Sequence, residues 1–237
     1  MVSFIRSLSY LLISIPVFTI AQQVDSKNNT LKIHPTFDFE FTGDGSAKSW
    51  DMAEWTVLPP REGARSYYQT KVKLLYSQKG VYCLFFCYDR QITATLKEDF
   101  ADLYNEDVVE IFFWPDESLP VYFEYELSPL NHELPIVVPN IKGNFFGWRP
   151  WHYEGNRITR HAALITSDEK GVASWTAEFF IPFSLLKPLI KDVPKKGTRW
   201  RANMYRIDYD DSISEWSWQL TGKNFHDYEK FGTIQFD

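Results

Sequence analysis

Acidic side chains lie at alternate positions of two apolar segments, where they could bind or cleave a ligand rich in hydroxyl groups. Glu110 lies within Val108–Trp114, and Glu124 and Glu126 lie within Val121–Leu127. Carboxylates accept hydrogen bonds from hydroxyl groups, and two carboxyl groups about 5–10 Å apart are the minimum for glycoside hydrolysis. The spacing therefore predicts either a binding face for a hydroxylated ligand or a hydrolytic pair.

The alternation in these segments is typical of strands, whose successive side chains point to opposite faces. One face of each strand should pack in the core, and we expect the other face to be open to solvent. A solvated face of ordinary cross-strand ion pairs would have the same pattern. The predicted members of the open face are Glu110, Glu124, Glu126, Glu178, Arg201, Asn203 and Tyr205.

Strand-like segments recur between turn sequences and predict an all-β, antiparallel, jelly-roll-like β-sandwich. One short helix is expected at residues 182–189, which have a proline near each end. Residues 129–160 have no strand periodicity and are expected to form a long functional loop. The predicted strands are residues 72–76, 81–88, 108–114, 121–127, 162–166, 175–181, 199–208 and 233–236.

The predicted loop contains an aromatic cluster at residues 145–152. Trp148 and Trp151 could form a stacking wall for a ligand, with Arg149 as a hydrogen-bond donor, or they could be buried as a satellite core. Trp50 and Trp55 are expected in the core, because large aromatic side chains are seldom left exposed.

Composition and charge limit the classes of function. The chain has 237 residues, 44% of them hydrophobic and 24% charged, as in one globular domain. The formal net charge of −6 argues against nucleic acid as a partner. A monomer is expected. Cys83 and Cys87 would be about 13 Å apart on a strand, too far for a disulfide, so both are expected to be buried free thiols.

The first residues have the pattern of a secretory signal. Arg6 precedes a nearly continuous apolar stretch at residues 8–20, and small residues lead to Ala21. We expect cleavage after Ala21, which gives a secreted or periplasmic chain that starts at Gln22 and has no membrane span. An uncleaved N-terminal anchor is the alternative. The domain assignment is residues 1–21 as signal peptide, 22–30 as linker and 31–237 as the sandwich.

Two segments resemble strands of the family 9 carbohydrate-binding modules. Residues 103–113 are similar to the family's aromatic-x-x-Asp-x-Val-Glu-Ile-Phe strand, and residues 224–234 to its closing aromatic-x-Asp-x-x-x-Phe-Gly strand. A hairpin at residues 71–82 and a turn at residues 42–45 also look like family elements. The resemblance covers roughly residues 31–237 and is strongest to the stand-alone, family 9-like secreted proteins.

The resemblance implies a β-sandwich that holds the end of a glucan or xylan chain between two aromatic rings, and this protein is expected to bind such plant-type polysaccharides in carbohydrate catabolism. Tyr104 and Phe225 match the stacking positions, which are both Trp in the family. Glu110 matches a carboxylate that accepts sugar hydroxyls, and Asn203 and Tyr205 match polar positions that face the ligand. The aromatic cluster adds Trp148 and Arg149 to the predicted site.

The sequence departs from the family pattern at both stacking positions, at a binding-face Arg that is replaced by Glu124, and near Gly222, where a family Asn is replaced. A glycoside hydrolase of the endoxylanase type, with Glu110 and Glu124 as its carboxyl pair, is an alternative to a non-catalytic binding module. A haem-binding redox module is a further alternative. Haem iron needs a His/Met or His/His axial pair, and Met52, Met204 and the histidines show no evident pairing.

No cofactor is predicted from the sequence. Some family members hold structural calcium, and the loop carboxylates Asp44, Asp51 and Asp107 could bind it here. Calcium needs about six to eight oxygen ligands, and the sequence has no dense acidic loop of that kind.

Overall fold

The computed structural model describes residues 29–64, 68–141, 144–169, 171, 173–210, 212–222 and 224–237. The expected signal peptide, residues 1–21, lies outside the described residues, as does most of the expected linker. Within the described ranges, no helix is both long enough and apolar enough to cross a membrane.

The described residues form fourteen strands and one short α-helix. Five single 3-10 turns lie between them, including Leu103–Asn105 and Tyr228–Lys230. The elements are β1 Thr30–Pro35, β2 Thr56–Leu58, β3 Thr70–Tyr76, β4 Gly80–Asp89, β5 Val108–Trp114, β6 Val121–Leu127, β7 Glu133–Ile141, β8 Asn144–Phe145, β9 Arg149–Pro150, β10 Arg160–Ser167, β11 Ala173–Pro182, α1 Phe183–Leu186, β12 Arg199–Asp208, β13 Ser214–Ser217 and β14 Gly232–Phe236.

Two sheets pack face to face. The first sheet has the strand order β1-β14-β12-β5-β6-β7, and the second has the order β10-β11-β4-β3-β1. Strand β1 belongs to both, because residues 30–33 pair with β14 and His34 and Pro35 pair with β3. These two ladders are parallel, and the other ladders of the described residues are antiparallel. The predicted β-sandwich with one short helix is confirmed.

The main core lies between the sheets and follows from the alternation along each strand. In β5, the side chains of Val109, Ile111 and Phe113 are fully buried in this core. Cys83 and Cys87 are buried there as free thiols, as the sequence predicts. Burial raises the pKa of both thiols, so they behave as small apolar side chains.

The alternation also predicts most strand bounds well. Strands β5, β6 and β12 have the predicted bounds, and the ends of the other predicted strands lie within two residues of the observed ends. The expected helix at residues 182–189 is α1 followed by a 3-10 turn, Lys187–Leu189.

The prediction of a long loop at residues 129–160 is wrong, because this segment contains β7, β8 and β9. Pro135 and Pro139 lie inside β7, and proline interrupts the sequence pattern of a strand because it cannot donate to a ladder. The structure tolerates both prolines because β7 is the last long strand of the first sheet, with only the two-residue β8 and β9 beside it.

The prediction of an open polar face is also wrong. Glu110, Glu124 and Glu126 have exposed fractions of only 2%, 4% and 0%. A second apolar cluster and its loops cover the outer face of the first sheet, and alternation alone cannot reveal such a cover. Members of this cluster include Leu103, Phe112, Tyr122, Tyr205, Phe225 and Phe231.

Glu178 lies apart from the other predicted members of that face, on the outer side of the second sheet. Its carboxylate accepts a hydrogen bond from Trp50 Nε1 at 2.6 Å and others from the backbone N–H groups of Gly43 and Gly45 at 2.6 and 3.2 Å. Trp50 is buried, as expected. Trp55 is half-buried and packs beside a third apolar cluster, which contains Trp50, Tyr82 and Phe180.

Candidate functional site

A cavity of about 600 Å³ opens on the outer face of the first sheet. Its volume falls within the range of roughly 300–1,000 Å³ that is typical of small-ligand sites. Five of the seven predicted site residues line this cavity, and they come from four different parts of the chain. They are Tyr104, Glu110, Trp148, Arg149 and Phe225.

Three glutamates lie together along the cavity. The ladder between β5 and β6 places Glu110 directly opposite Glu126, and Glu124 lies two residues before Glu126 on the same face. One oxygen from each carboxyl group lies within 4.8 Å of the others. The chain thus brings three acids together, where the sequence predicted members of a broad face and, as an alternative, a pair of Glu110 with Glu124.

Burial raises the pKa of all three carboxyl groups, and their mutual repulsion adds to this for Glu110 and Glu126. The pKa of Glu124 is raised to about 8. Glu124 Oε2 and both oxygens of Glu126 have no hydrogen-bond partner. These oxygens are buried, and the residues that carry them line the cavity that a ligand would enter.

Tyr104 and Trp148 form an aromatic wall. Their ring centroids are 6.5 Å apart with an interplanar angle of 72°, so the two rings meet edge to face. The turn Leu103–Asn105 carries Tyr104, and its buried Leu103 side chain anchors the turn. Tyr209 Oη also donates to the Tyr104 carbonyl at 2.8 Å. Tyr104 is half-buried and keeps part of its surface exposed.

The aromatic cluster at residues 145–152 divides between the two roles that the sequence allowed, a ligand-facing wall and a buried core. Trp148 lines the cavity. Trp151 packs against the main core, where its Nε1 donates to the Leu185 carbonyl at 3.1 Å. Arg149 is exposed, and its Nη1 donates to the Trp148 carbonyl at 2.7 Å.

Phe225, Tyr205 and Asn203 form a column that leads from the cavity into the fold. Phe225 is 8% exposed, whereas Tyr205 and Asn203 have no exposed surface. Tyr205 Oη donates to the Phe225 carbonyl at 2.9 Å, and Asn203 Nδ2 donates to Tyr205 Oη at 2.6 Å. In this arrangement Asn203 and Tyr205 position Phe225 and have no surface of their own for a ligand.

Phe145 and His226 are cavity residues that the sequence reasoning missed. Their rings are stacked, with centroids 4.1 Å apart and planes 13° apart. His226 Nδ1 lies 2.5 Å from Tyr122 Oη. Burial lowers the pKa of His226 to about 4, so the ring is neutral at physiological pH. His226 could have been predicted as a cavity residue because it follows Phe225, which was already a predicted site residue. Phe145 could have been predicted because it belongs to the aromatic cluster at residues 145–152.

The carboxylates considered for structural calcium lie in different settings. Asp44 accepts hydrogen bonds from Thr42 and Ser46. Asp51 is exposed, and Asp107 is fully buried. The described residues contain two groups of three neighbouring acids, and neither includes Asp44, Asp51 or Asp107.

Comparisons of folds agree with the resemblance seen in the sequence. No protein-family model matches the chain, and no curated protein matches it. A solved candidate carbohydrate-binding protein from Bacteroides uniformis is similar, with a TM-score of 0.73 at 15% identity, over 88% of this chain and 99% of that one.

A family 9 carbohydrate-binding module from Caldicellulosiruptor kristjanssonii has the same fold. Its complex with cellotriose gives a TM-score of 0.62 at 16% identity, over 87% of this chain and 94% of that one. Its complex with glucose gives a TM-score of 0.61 at 15% identity, over 87% and 96%. The resemblance to family 9 modules is thus confirmed in the fold.

Proposed function

We propose that this protein binds carbohydrate, with a sugar ring in the cavity beside Tyr104 and Trp148. The observation that carries the proposal is the combination of this aromatic wall with carboxyl oxygens of Glu124 and Glu126 that lack partners. A pyranose has an apolar face of C–H groups that packs on an aromatic ring, and its hydroxyl groups need hydrogen-bond partners. The rings of Tyr104 and Trp148 can pack against the apolar face of the sugar, and the glutamates can accept hydrogen bonds from its hydroxyl groups.

The fold supports the same function by analogy, since a family 9 module with this fold is solved with cellotriose and with glucose. Cellotriose, glucose and xylo-oligosaccharides are therefore the first ligands to test. Binding of plant-type polysaccharide by an exported protein is our proposal for the biological setting, and the apolar segment at residues 8–20 supports export.

The test is a calorimetric titration of these sugars into the wild-type protein and the Tyr104→Ala variant. Loss of a stacking ring should lower affinity by about 1–3 kcal/mol, which is roughly 5- to 150-fold. Phe37→Ala is the matched control, because Phe37 is an aromatic residue that is 93% exposed and lines a different pocket. Equal affinities of wild type and Tyr104→Ala for the sugar would show that Tyr104 is not a stacking residue. Absence of sugar binding by the wild type would refute the proposed function.

Glycoside hydrolysis is a second candidate, because the pKa of Glu124 is raised to about 8 beside other carboxyl groups. The glutamate oxygens lie within 4.8 Å of one another, which is closer than the roughly 5–5.5 Å between the carboxyl groups of retaining enzymes. A carboxyl group that stays protonated at neutral pH is suited to act as a general acid. The assay is the release of reducing sugar from xylan and glucan. Release that Glu110→Gln abolishes would establish an enzyme, whereas binding without release supports a binding module.

A further inference from the structure

The outer face of the second sheet carries an aromatic surface, on the side of the sandwich opposite the cavity. Cys87 points into the main core, so its neighbours on β4, Phe86 and Tyr88, point outward. The ring of Trp55 packs edge to face on Phe86, with centroids 6.5 Å apart, and the ring of Tyr88 does the same at 4.9 Å. Tyr88 is 43% exposed, so a ring of this surface is open to a ligand.

Two lysines of β3 lie on the same face. Lys71 is directly opposite Phe86 in the ladder between β3 and β4, and Lys73 lies two residues further along β3. Lys71 Nζ is 4.5 Å from the centroid of the Trp55 ring and 4.9 Å from that of Phe86, and Lys73 Nζ is 5.0 Å from the Trp55 centroid. Both ammonium groups thus lie over one ring, within the range of cation–π contacts. The lysine–aromatic face is the set Trp55, Lys71, Lys73, Phe86 and Tyr88.

No carboxylate compensates these two charges in the part of the chain that the structure describes. Neither lysine forms an ion pair there. Lys73 Nζ donates to the Trp50 carbonyl at 2.7 Å, and the contacts of Lys71 Nζ among these residues are with the two rings. Burial lowers the pKa of Lys71, and the charge of Lys73 lowers it further. An anion beside Lys71 would offset both effects.

Polar side chains extend this surface across the sheet. Tyr88 is opposite Ser174 in the ladder between β4 and β11, and Ser174 is opposite Thr166 of the edge strand β10. Thr166 is exposed and Ser174 is half-buried. The strands β3, β4, β11 and β10 lie side by side, so the surface is about 14 Å wide at roughly 4.8 Å between neighbouring strands. The surface is therefore an open strip that has room for more than one sugar ring.

We propose that the lysine–aromatic face binds an acidic polysaccharide, with a uronate carboxylate at Lys71 and Lys73 and a sugar ring on Tyr88. A uronate unit combines a carboxylate, which pairs with ammonium groups, and a face of C–H groups, which packs on an aromatic ring. A neutral sugar would leave the two charges uncompensated. A second copy of this chain is a poorer occupant, because a symmetric contact would bring the lysines of both copies together. This face is separate from the cavity, so the proposal does not rest on the sugar site there.

The experiment is a calorimetric titration of oligogalacturonate, a short chain of galacturonic acid units, into the wild-type protein at low salt. Lys71→Gln should bind the probe at least about fivefold more weakly, because one charge pair is lost. Tyr88→Ala should also bind at least about fivefold more weakly, because a stacking ring is lost. The affinity of the wild type should fall as the NaCl concentration rises. Circular dichroism checks that each variant is folded.

Two control variants match these changes. Lys196→Gln removes one positive charge at an exposed lysine whose Nζ pairs with Asp237, near the opposite end of β3 from Lys71. Phe37→Ala removes an exposed ring from a different pocket. Weaker binding in Lys71→Gln and Tyr88→Ala, with wild-type affinity in both controls, supports the proposal. Wild-type affinity in either Lys71→Gln or Tyr88→Ala would overturn it.

Other occupants of this face give different results. Equal affinity for polyglutamate of the same charge would overturn the proposal, because the face would then recognise charge and not sugar. A dimer in analytical ultracentrifugation that Tyr88→Ala dissociates would also overturn it, because a second copy would then cover the face. Loss of oligogalacturonate binding in Tyr104→Ala would overturn it too, because the acidic sugar would then lie in the cavity.

Titration of cellotriose separates this proposal from the proposed function. Binding of oligogalacturonate that depends on Lys71 and Tyr88, without binding of cellotriose or other neutral sugars, supports the lysine–aromatic face and refutes the sugar site in the cavity. Binding of cellotriose that depends on Tyr104, without binding of oligogalacturonate, keeps the proposed function and overturns the second surface.

Discussion

The ring of Phe225 lies parallel to the ring of Tyr205, with centroids 4.1 Å apart and planes 9° apart. The guanidinium carbon of Arg61 lies 5.1 Å from the centroid of the Phe225 ring. These contacts leave Phe225 only 8% exposed. Tyr104 and Phe225, which the sequence predicted as a stacking pair, therefore differ. Tyr104 keeps exposed surface that a ligand could contact, whereas the ring of Phe225 is largely buried against other side chains.

This difference predicts opposite consequences for two alanine variants. Phe225→Ala should lower the free energy of unfolding by about 2–4 kcal/mol, because it removes a buried ring and leaves a cavity. Tyr104→Ala should change stability by less than about 1 kcal/mol and act mainly on sugar affinity. The free energies of unfolding of both variants and of wild type are measured by urea denaturation. Equal destabilisation by the two changes would contradict the assignment of different roles.

Tyr205→Phe tests whether the buried column positions the cavity. The change removes the hydroxyl group that donates to the Phe225 carbonyl and accepts from Asn203 Nδ2. We expect a loss of about 1–2 kcal/mol in the free energy of unfolding, because the carbonyl and amide are left without this partner. Sugar affinity should fall less than in Tyr104→Ala. A larger loss of affinity than in Tyr104→Ala would instead assign Tyr205 direct contact with the ligand.

Glu178→Gln should destabilise the protein without changing sugar binding. The carboxylate accepts from Trp50 Nε1 and from two backbone N–H groups, and an amide would place its own N–H group against one of these donors. The expected loss is about 2–4 kcal/mol, measured by denaturation. Because Glu178 lies on the second sheet, the titration of sugar into the folded variant should match wild type. An altered affinity would show that the two outer faces are coupled.

Asp107 predicts a stability that depends on pH. Burial raises its pKa to about 7, although the backbone N–H groups of Tyr209 and Thr93 donate to it. The folded protein therefore binds more protons at this group than the unfolded chain between about pH 4 and pH 7, and stability contributed by Asp107 falls as pH rises through that window.

The measurement compares wild type with Asp107→Asn at pH 4.5 and pH 7.5, because the asparagine removes this titration. The stability of wild type relative to the variant should decrease by about 1–4 kcal/mol over that range. An unchanged difference would mean that folding does not shift the pKa of Asp107, and an increasing difference would mean that the fold favours the ionised form.

The N-terminal segment gives a prediction that needs no structure. Expression in a host with a secretion pathway should yield a mature chain that starts at Gln22, after removal of residues 1–21. Intact mass and N-terminal sequencing of the exported protein check this. Recovery of a membrane-bound chain that still starts at Met1 would favour the uncleaved anchor.

Sequence patterns predict those parts of the fold that depend on local alternation. Strands β5, β6 and β12 were located because buried and polar side chains alternate along them. The prolines of β7 hid that strand, because their tolerance depends on a position at the edge of the sheet. No local pattern reports which strand lies at an edge.

The sequence indicated the lining of the cavity at the family-like motifs and at the aromatic cluster, which contributes Trp148 and Arg149. Tyr104, Glu110 and Phe225 lie in segments that resemble family strands, and all three line the cavity. Glu126 lies beside Glu110 because of the register between β5 and β6. That register is set by the turn and by distant contacts, which the local sequence does not show. Burial of Asn203 depends on loops that fold over the sheet from elsewhere in the chain.

Strand β1 pairs with the last strand of the chain, β14, and also with β3. Residues separated by about two hundred positions, such as Thr30 and Thr233, are thus ladder neighbours. This ladder can form only after both strands have been synthesised, so we expect the sandwich to complete its folding late. Pairings of such large sequence separation are slow to form, so we expect refolding of the sandwich from the unfolded chain to be slow.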